Sequence, residues 1–328
     1  MDITWLKDST DRWRGQLAQA RRPHAVLVAG AAGLGKRCLA AWLAESVLSP
    51  DTMPALPQYP LALRQHPDLH WLTRPDDKQN IVIEQIRQLI GELGLTSHRG
   101  KGKVAVIEAA HLMTSQAANS LLKTLEEPPG DALLILVADR MSRMPATILS
   151  RCQRLAVRLP DSSESLAWLD RLQPGSQWPR ALRAAGGAPL AAVAAAERLE
   201  DADAMATDLG ALAGRAASPV EVADRWSRRY PDLALDWLAR QVQGCIVRRL
   251  SGAAGGTPAV VQDSVLQRMD SRNLFCYLDT INRLRAQAGG SYNLQLTLEG
   301  LLIDWAEGLV HSRGQDGSSG LWPLISSR

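Results

Sequence analysis

Features typical of secreted, membrane-spanning and zinc-binding proteins are scarce in this sequence. The 328 residues include four cysteines, and no two of them have the C-x₂-C spacing of a zinc cluster. Their scatter fits a reducing compartment. No apolar run approaches the roughly 20 residues that a membrane-spanning helix needs, and the N-terminus lacks the basic and then apolar pattern of a signal peptide. We therefore expect a soluble, cytoplasmic protein without zinc.

The sequence also has no large excess of positive or negative charge. The 37 Lys and Arg residues nearly balance the 34 Asp and Glu residues, and the net charge of +3 is too small to require nucleic acid as a partner. Aromatic residues are few, but the apolar fraction of 46% is ordinary, so the chain can bury sizeable cores. Its length allows two or three domains.

Short strand-like runs alternate with helical patterns over the first half of the sequence. The runs are His24–Ala29, Leu69–Leu72, Val104–Ile107, Leu133–Val137 and Leu155–Arg158. Three of them are almost purely apolar, as expected for parallel strands covered by helices on both faces. One intervening helix is expected to begin after Thr114 or Ser115 and to end before Pro128-Pro129. This alternation predicts an α/β domain with a parallel sheet over residues 1–160.

Beyond Pro160 the strand signal fades and helical patterns remain. Asp161 has the character of a helix start, Gly186-Gly187 is expected to end one helix, and Pro189 to begin the next. The tail is rich in Gly and Ser, which favours flexibility. The prediction is a small helical domain at 161–205, a C-terminal helical domain at 206–312 with breaks at 251–258 and 289–291, and a flexible tail at 313–328.

A glycine-rich loop after the first predicted strand has the phosphate-binding pattern G-x-x-x-x-G-K-[S/T] in all but its last position. Gly30, Gly33, Gly35 and Lys36 match the groups that cradle phosphates at a helix N-terminus. The Ser or Thr whose hydroxyl ligates Mg²⁺ is replaced by Arg37, which has five donors and no acceptor. The loop therefore keeps a phosphate-binding shape without its metal ligand.

The strand Val104–Ile107 ends in a second incomplete motif. In an ATPase, two adjacent acids follow such a strand, one holding Mg²⁺ through its shell and the other polarising the attacking water. Glu108 is a usable carboxylate, but Ala109 cannot accept a proton. We therefore expect no ATP hydrolysis by this chain. Two roles stay open for Lys36. It contacts phosphate, or it only solvates a tight glycine turn.

Two later segments resemble one family. AANSLLKTLEEPP at Ala117–Pro129 and TILSRC at Thr147–Cys152 follow the loop in the order found in bacterial sliding-clamp loaders of the AAA+ class. Shorter segments at His66–Leu69 and Asn293–Leu302 are similar as well. Together with the altered loop and acidic strand, they resemble the delta-prime family of DNA polymerase III subunits. The likeness is strongest over residues 22–160.

The resemblance implies a P-loop fold of AAA+ type with a five-stranded parallel sheet, a small helical lid at 161–205 and an all-α collar domain at 206–312. It implies a non-catalytic subunit of the DNA polymerase III holoenzyme that helps load the sliding clamp onto primed DNA. Expected partners are ATPase subunits of gamma/tau type, a delta-type subunit and, through the assembly, the clamp and DNA. Arg151 would be an arginine finger acting in trans on a neighbour's ATP. The alternative is a cation that only offsets a helix dipole.

The sequence departs from the family at two places. Many relatives carry a four-cysteine zinc module after the helix that follows the loop, whereas Ser49–Gln65 is proline-rich and has no cysteine. The arginine that senses nucleotide from the lid corresponds here to Leu190. We therefore expect no cofactor: this chain should neither bind zinc nor hydrolyse ATP.

The same residues allow other interpretations. An active clamp-loader or helicase-loader ATPase hydrolysing ATP in cis is the alternative function, opposed by Arg37, Ala109 and Leu190. Glu126 and Glu127 are interpreted as a solvated helix end or a subunit contact. The basic segment Arg99–Lys103 is interpreted as a solvated turn rather than a contact with DNA phosphates.

Overall fold

The computed structural model describes most of the chain as two compact units, Met1–Ala196 and Glu197–Arg328. The described residues are 1–19, 21–49, 51, 55–75, 78–97, 102–175, 177–251, 266, 269–286 and 293–309. The predicted flexible tail at 313–328 lies outside them, as do the break at 289–291, most of the break at 251–258 and most of the basic segment Arg99–Lys103.

A five-stranded, all-parallel sheet organises the first unit, in the order β2-β3-β4-β1-β5. Its strands are β1 (Ala25–Ala29), β2 (Leu69–Leu72), β3 (Val104–Ile107), β4 (Leu133–Ala138) and β5 (Gln153–Ala156). Every residue of β1, β3 and β4 is buried, which explains why these strands are apolar without alternation. The predicted α/β class is confirmed.

The last strand differs from its prediction. The expected strand Leu155–Arg158 is wrong by two residues, because pairing with β1 begins at Gln153, which is opposite Val26, and ends at Ala156. β5 lies at one of the two edges of the sheet, and Gln153, Arg154 and Ala156 are exposed. Polar residues at an exposed edge carry no apolar signal, so the sequence pattern missed the start of the strand.

Helices cover both faces of this sheet. The helices of this unit are α1 (Lys7–Ala18), α2 (Lys36–Leu48), α3 (Ile83–Gly94), α4 (Ser115–Glu126), α5 (Ala146–Leu149), α6 (Ser162–Leu172), α7 (Trp178–Ala184) and α8 (Pro189–Ala196), of which the last three pack against one another. Val26 and Val28 pack in one apolar cluster with α2, whereas Leu27 packs in another with α3 and α4. Successive side chains of β1 thus enter opposite cores, as the period of a strand requires.

Local signals delimit the helices as predicted. The Thr114 hydroxyl oxygen accepts a hydrogen bond from the backbone N–H of Ala117 at 3.2 Å and caps α4, which ends at Glu126 before the two prolines. Gly186 and Gly187 follow α7 with φ of +66° and +85°, conformations that favour glycine, and α8 begins at Pro189.

Among its described residues, the second unit has helices joined by turns and no strand. Its helices are α9 (Leu199–Ala213), α10 (Pro219–Arg229), α11 (Ala234–Ser251), α12 (Ser271–Ala286) and α13 (Leu294–Ala306). Fully buried Trp226 and Trp305 belong to its core, and Trp226 meets Trp237 edge to face with ring centroids 5.7 Å apart. The predicted boundary between residues 205 and 206 falls inside α9, and the finer domain division stays a prediction. No helix in the described part of the chain has the length and apolar character of a membrane span.

Candidate functional site

The site is built at the carboxyl edge of the sheet. β4 pairs with β1 on one side and with β3 on the other, so the residues that follow these three strands meet at one edge. These are the glycine-rich loop from Gly30, the acid Glu108 and Asp139. A cavity of about 240 Å³ lies there, and its lining includes Gly33, Gly35, Lys36, Arg37, Ala109 and Leu190. The structure thus brings together the residues that the phosphate-loop, acidic-strand and lid arguments singled out separately.

The loop itself requires glycine. Gly33 has φ of +77°, which L side chains rarely adopt. A Cβ at this position would lie 2.6 Å from the backbone nitrogen of Ala191 in α8 and would also meet the Ala191 side chain. The Leu190 N–H donates to the Gly33 carbonyl oxygen at 3.0 Å. The first turn of α8 is therefore seated directly on the phosphate loop, with apolar Leu190 in the cavity lining.

Arg37 and Glu108 form an ion pair across the cavity. Arg37 Nε lies 2.7 Å from Glu108 Oε1, and the carboxylate also accepts a hydrogen bond from Trp71 Nε1 at 3.1 Å. Glu108 is largely buried, whereas Arg37 is more than half exposed. The carboxylate that would hold Mg²⁺ in an ATPase is thus neutralised by the side chain standing where the second Mg²⁺ ligand would be.

Lys36 is also neutralised by the protein. Its Nζ lies 2.7 Å from Asp139 Oδ1, and the side chain is only 4% exposed. Lys36 Nζ also donates a short hydrogen bond to the Ala31 carbonyl oxygen. A phosphate-binding lysine must direct its donors at the ligand. Here two oxygens of the protein already accept from it.

His111 accepts a hydrogen bond from the backbone of Asp139, the acid that binds Lys36. The backbone N–H of Asp139 donates to His111 Nδ1 at 3.3 Å, which requires that nitrogen to be unprotonated. Burial lowers the pKa of His111; Asp139 raises it, but Arg140, Arg143 and Lys36 lower it further. The structure therefore holds His111 in its neutral form.

Arg151 lies outside the residues that line this cavity. It follows α5 and is about one-third exposed, and its Nε donates to Glu126 Oε1 at 2.8 Å. Its Nη2 donates a short hydrogen bond to the same oxygen, and its Nη1 donates to the Thr147 carbonyl oxygen at 3.1 Å and to Ser150 Oγ at 3.3 Å. Glu126, interpreted from sequence as a solvated end or a subunit contact, is thus the partner of the predicted finger.

Comparison with known proteins identifies the family. The family model described as DNA polymerase III, delta subunit, matches residues 5–161. A DNA polymerase III subunit delta' from Pseudomonas aeruginosa is 31% identical in an alignment of 317 positions that covers 90% of this chain and 95% of that protein. The chain belongs to the delta-prime family of DNA polymerase III subunits. The delta' subunit of Escherichia coli K12 is 29% identical over 203 residues, covering 58% of this chain and 59% of that protein.

The delta-prime assignment agrees with the fold. A solved structure described as a DNA polymerase III gamma subunit-related protein from Thermotoga maritima has a TM-score of 0.50 and 20% identity, covering 94% of this chain and all of that one. At this identity the likeness shows the fold alone. The delta-prime family, predicted from the segments Ala117–Pro129 and Thr147–Cys152, is confirmed.

Several contributors to the delta-prime site were missed by sequence reasoning. Asp139, Tyr59 and Leu61 line the cavity, and Trp71 binds Glu108. Asp139 carried a usable signal, since it is the first polar residue after an apolar run that ends at the same sheet edge as Glu108. Tyr59 and Leu61 lie in the proline-rich stretch and carried none. Within the described residues, no group of His, Cys, Asp and Glu is arranged to hold a metal ion.

Proposed function

We propose that this chain is the non-hydrolysing subunit of a DNA polymerase III clamp loader. It helps place the sliding clamp on primed DNA, and it donates Arg151 to ATP bound by a neighbouring ATPase subunit. It has no catalytic activity of its own and acts in the cytoplasm. The observation that carries this proposal is the pair of internal ion pairs, Arg37–Glu108 and Lys36–Asp139, in the nucleotide cavity.

The residues present do not fit a magnesium nucleotide. A magnesium nucleotide would have to compete with Arg37 for Glu108 and with Asp139 for Lys36. Magnesium also needs oxygen ligands at near-octahedral positions, and an arginine supplies none. Ala109 offers no base to orient water even if nucleotide entered. All three arguments oppose the alternative of an ATPase hydrolysing in cis.

Family membership supports the choice of partners. Relatives named DNA polymerase III subunit gamma and subunit tau match nearly half of this chain, at 28% identity over 153 residues and 30% over 149 residues. We infer that ATPase subunits of gamma/tau type are neighbours in a hetero-oligomer with a delta-type subunit. Clamp and primed DNA are then reached through the assembly. Arg151 is suited to act between subunits, because it lies partly exposed outside its own cavity.

The decisive experiment uses a reconstituted clamp loader and DNA-stimulated ATP hydrolysis. Replacing Arg151 by Ala is expected to lower turnover by roughly 10³-fold or more, the range typical of a trans arginine. Arg154→Ala is the matched control, because Arg154 is an exposed arginine on the neighbouring strand, and it should leave turnover unchanged. Parental turnover in Arg151→Ala would contradict the finger. Steady ATP turnover by the isolated chain, lost on Lys36→Ala, would favour the cis ATPase.

A further inference from the structure

The two segments that carry the clamp-loader resemblance meet at one side-chain contact. Glu126 is the last residue of α4, and Arg151 follows α5, 25 residues later. Both Nε and Nη2 of Arg151 donate to Glu126 Oε1, the first at 2.8 Å. The Glu-Glu-Pro-Pro segment and the Ser-Arg-Cys segment are therefore one structural unit at the surface of the domain.

The guanidinium of Arg151 is held on a second side as well. Nη1 donates to the Thr147 carbonyl oxygen at 3.1 Å and to Ser150 Oγ at 3.3 Å. A guanidinium has five N–H donors in a rigid plane, so these contacts together with those to Glu126 leave one N–H of Nη2 without an acceptor among the described residues. The plane is oriented by its neighbours, while the side chain stays 35% exposed.

The position of Glu126 is not explained by helix stability. A carboxylate in the last turn of a helix faces the negative end of the helix dipole, which is unfavourable. Ion pairs between side chains this exposed add little to stability, because water screens them. The adjacent Glu127 has the same charge and is also exposed, yet no residue that the structure describes forms an ion pair with its side chain. Orientation of Arg151 is the effect that distinguishes Glu126 from its neighbour.

We propose that Glu126 is a positioning residue for Arg151. This inference rests on the proposed role of Arg151 as a finger that acts in trans. Glu126 fixes the plane of the guanidinium before the neighbour's ATP is reached, so that the remaining Nη2 N–H meets a γ-phosphate oxygen without first losing side-chain freedom. Such pre-organisation matters in phosphoryl transfer, where positioning and electrostatic stabilisation account for most of the catalysis.

The test is a double-mutant cycle in the reconstituted clamp loader. Glu126→Gln keeps the size and an acceptor oxygen but removes the charge-assisted contact, and it is expected to lower kcat of DNA-stimulated ATP hydrolysis by about 10²-fold, the typical cost of a small misplacement. KM for ATP should change little, because ATP binds in the neighbour's site. Glu127→Gln is the matched control and should keep the parental kcat. In an Arg151→Ala background, Glu126→Gln should cause no further loss.

The outcomes separate this inference from the proposed function. If Arg151→Ala lowers kcat but Glu126→Gln does not, Arg151 is still a finger and the positioning role of Glu126 is overturned. An equal additional loss from Glu126→Gln in the Arg151→Ala background also overturns it, because the effect would then not pass through Arg151. Parental kcat in Arg151→Ala would reject the finger itself. Melting temperature and co-purification with the other subunits establish that each variant folds and assembles.

Discussion

Arg37 Nε lies 2.7 Å from Glu108 Oε1, so the arginine that replaces a magnesium ligand is bound to the acid that would hold the same ion. The Arg37 guanidinium thus neutralises the carboxylate that Mg²⁺ would neutralise in an active site. Lys36 and Asp139 repeat this arrangement next to it, with Nζ and Oδ1 2.7 Å apart. The cavity therefore keeps its volume, but its charged side chains are already paired with one another.

Restoring the magnesium ligand should restore part of the nucleotide binding. In Arg37→Thr the hydroxyl returns and Glu108 is released from its ion pair. We expect Mg²⁺-dependent ATP binding to tighten by about tenfold or more, equivalent to ~1.4 kcal/mol, with no turnover because Ala109 supplies no base. Titration calorimetry with and without Mg²⁺ measures this. Arg37→Ala, which releases Glu108 without adding a ligand, is the control, and equal affinities for the two variants would contradict the argument.

Removing Asp139 should destabilise the first unit through Lys36. The lysine is 4% exposed, and Asp139→Ala leaves its charge with only the Ala31 carbonyl oxygen as acceptor. We expect the free energy of unfolding to fall by ~2 kcal/mol, below the usual cost of breaking a buried pair because Asp139 is itself partly exposed.

Adding Lys36→Met to Asp139→Ala should recover most of this loss, because the buried charge is then gone. Urea denaturation of the two variants and the parent measures the difference. A double variant no more stable than Asp139→Ala would show that the buried charge is not the cause.

Acid should weaken the fold through His111. Burial holds the pKa of His111 below its usual value of 6.5, so the unfolded chain binds a proton at a higher pH than the folded one. In that window acid favours the unfolded state, and the stability that neutral His111 contributes is lost as the pH falls through the unfolded pKa toward the folded one. In His111→Asn, the fall in the free energy of unfolding from about pH 7.5 to about pH 5.5 should be smaller than in the parent.

Denaturant titrations at the two pH values measure this difference directly. Carboxylates contribute to the pH dependence of both proteins, so the comparison between parent and variant isolates His111. An unchanged pH dependence in His111→Asn would mean that the pKa of this histidine is the same in the folded and unfolded states, and a larger fall would mean that folding raises it.

Gly33 and Gly15 should respond to alanine in opposite directions. At Gly33, φ of +77° and the close approach of Ala191 make a Cβ unfavourable, and we expect Gly33→Ala to cost ~2 kcal/mol or more. Gly15 lies inside α1 with nothing within 4 Å of an added Cβ, so Gly15→Ala should stabilise by ~0.5–1 kcal/mol. Thermal melts of the two variants compare them. A neutral Gly33→Ala would show that α8 does not rest on the loop in solution.

Four of the five strands, β1 to β4, were predicted to within a residue at each end. β1, β3 and β4 are buried on both faces, so their apolar runs coincide with the strands to within a residue. Local chemistry places the ends of α4, because a hydroxyl caps its start and two prolines prevent its continuation. β5 was misplaced because its first residues are polar and exposed, and the pairing with Val26 that defines it is a contact between distant parts of the chain.

The amino-acid sequence alone determined the α/β class, the phosphate-loop glycines and the absence of the hydroxyl and of the second acid. These depend on residue type and local spacing, which a sequence shows directly. Tertiary structure alone decided the partners: Arg37 with Glu108, Lys36 with Asp139, and Arg151 with Glu126. Each pair joins side chains 25 to 103 residues apart, and only the order of the parallel strands and the packing of the helices bring such atoms within hydrogen-bonding distance.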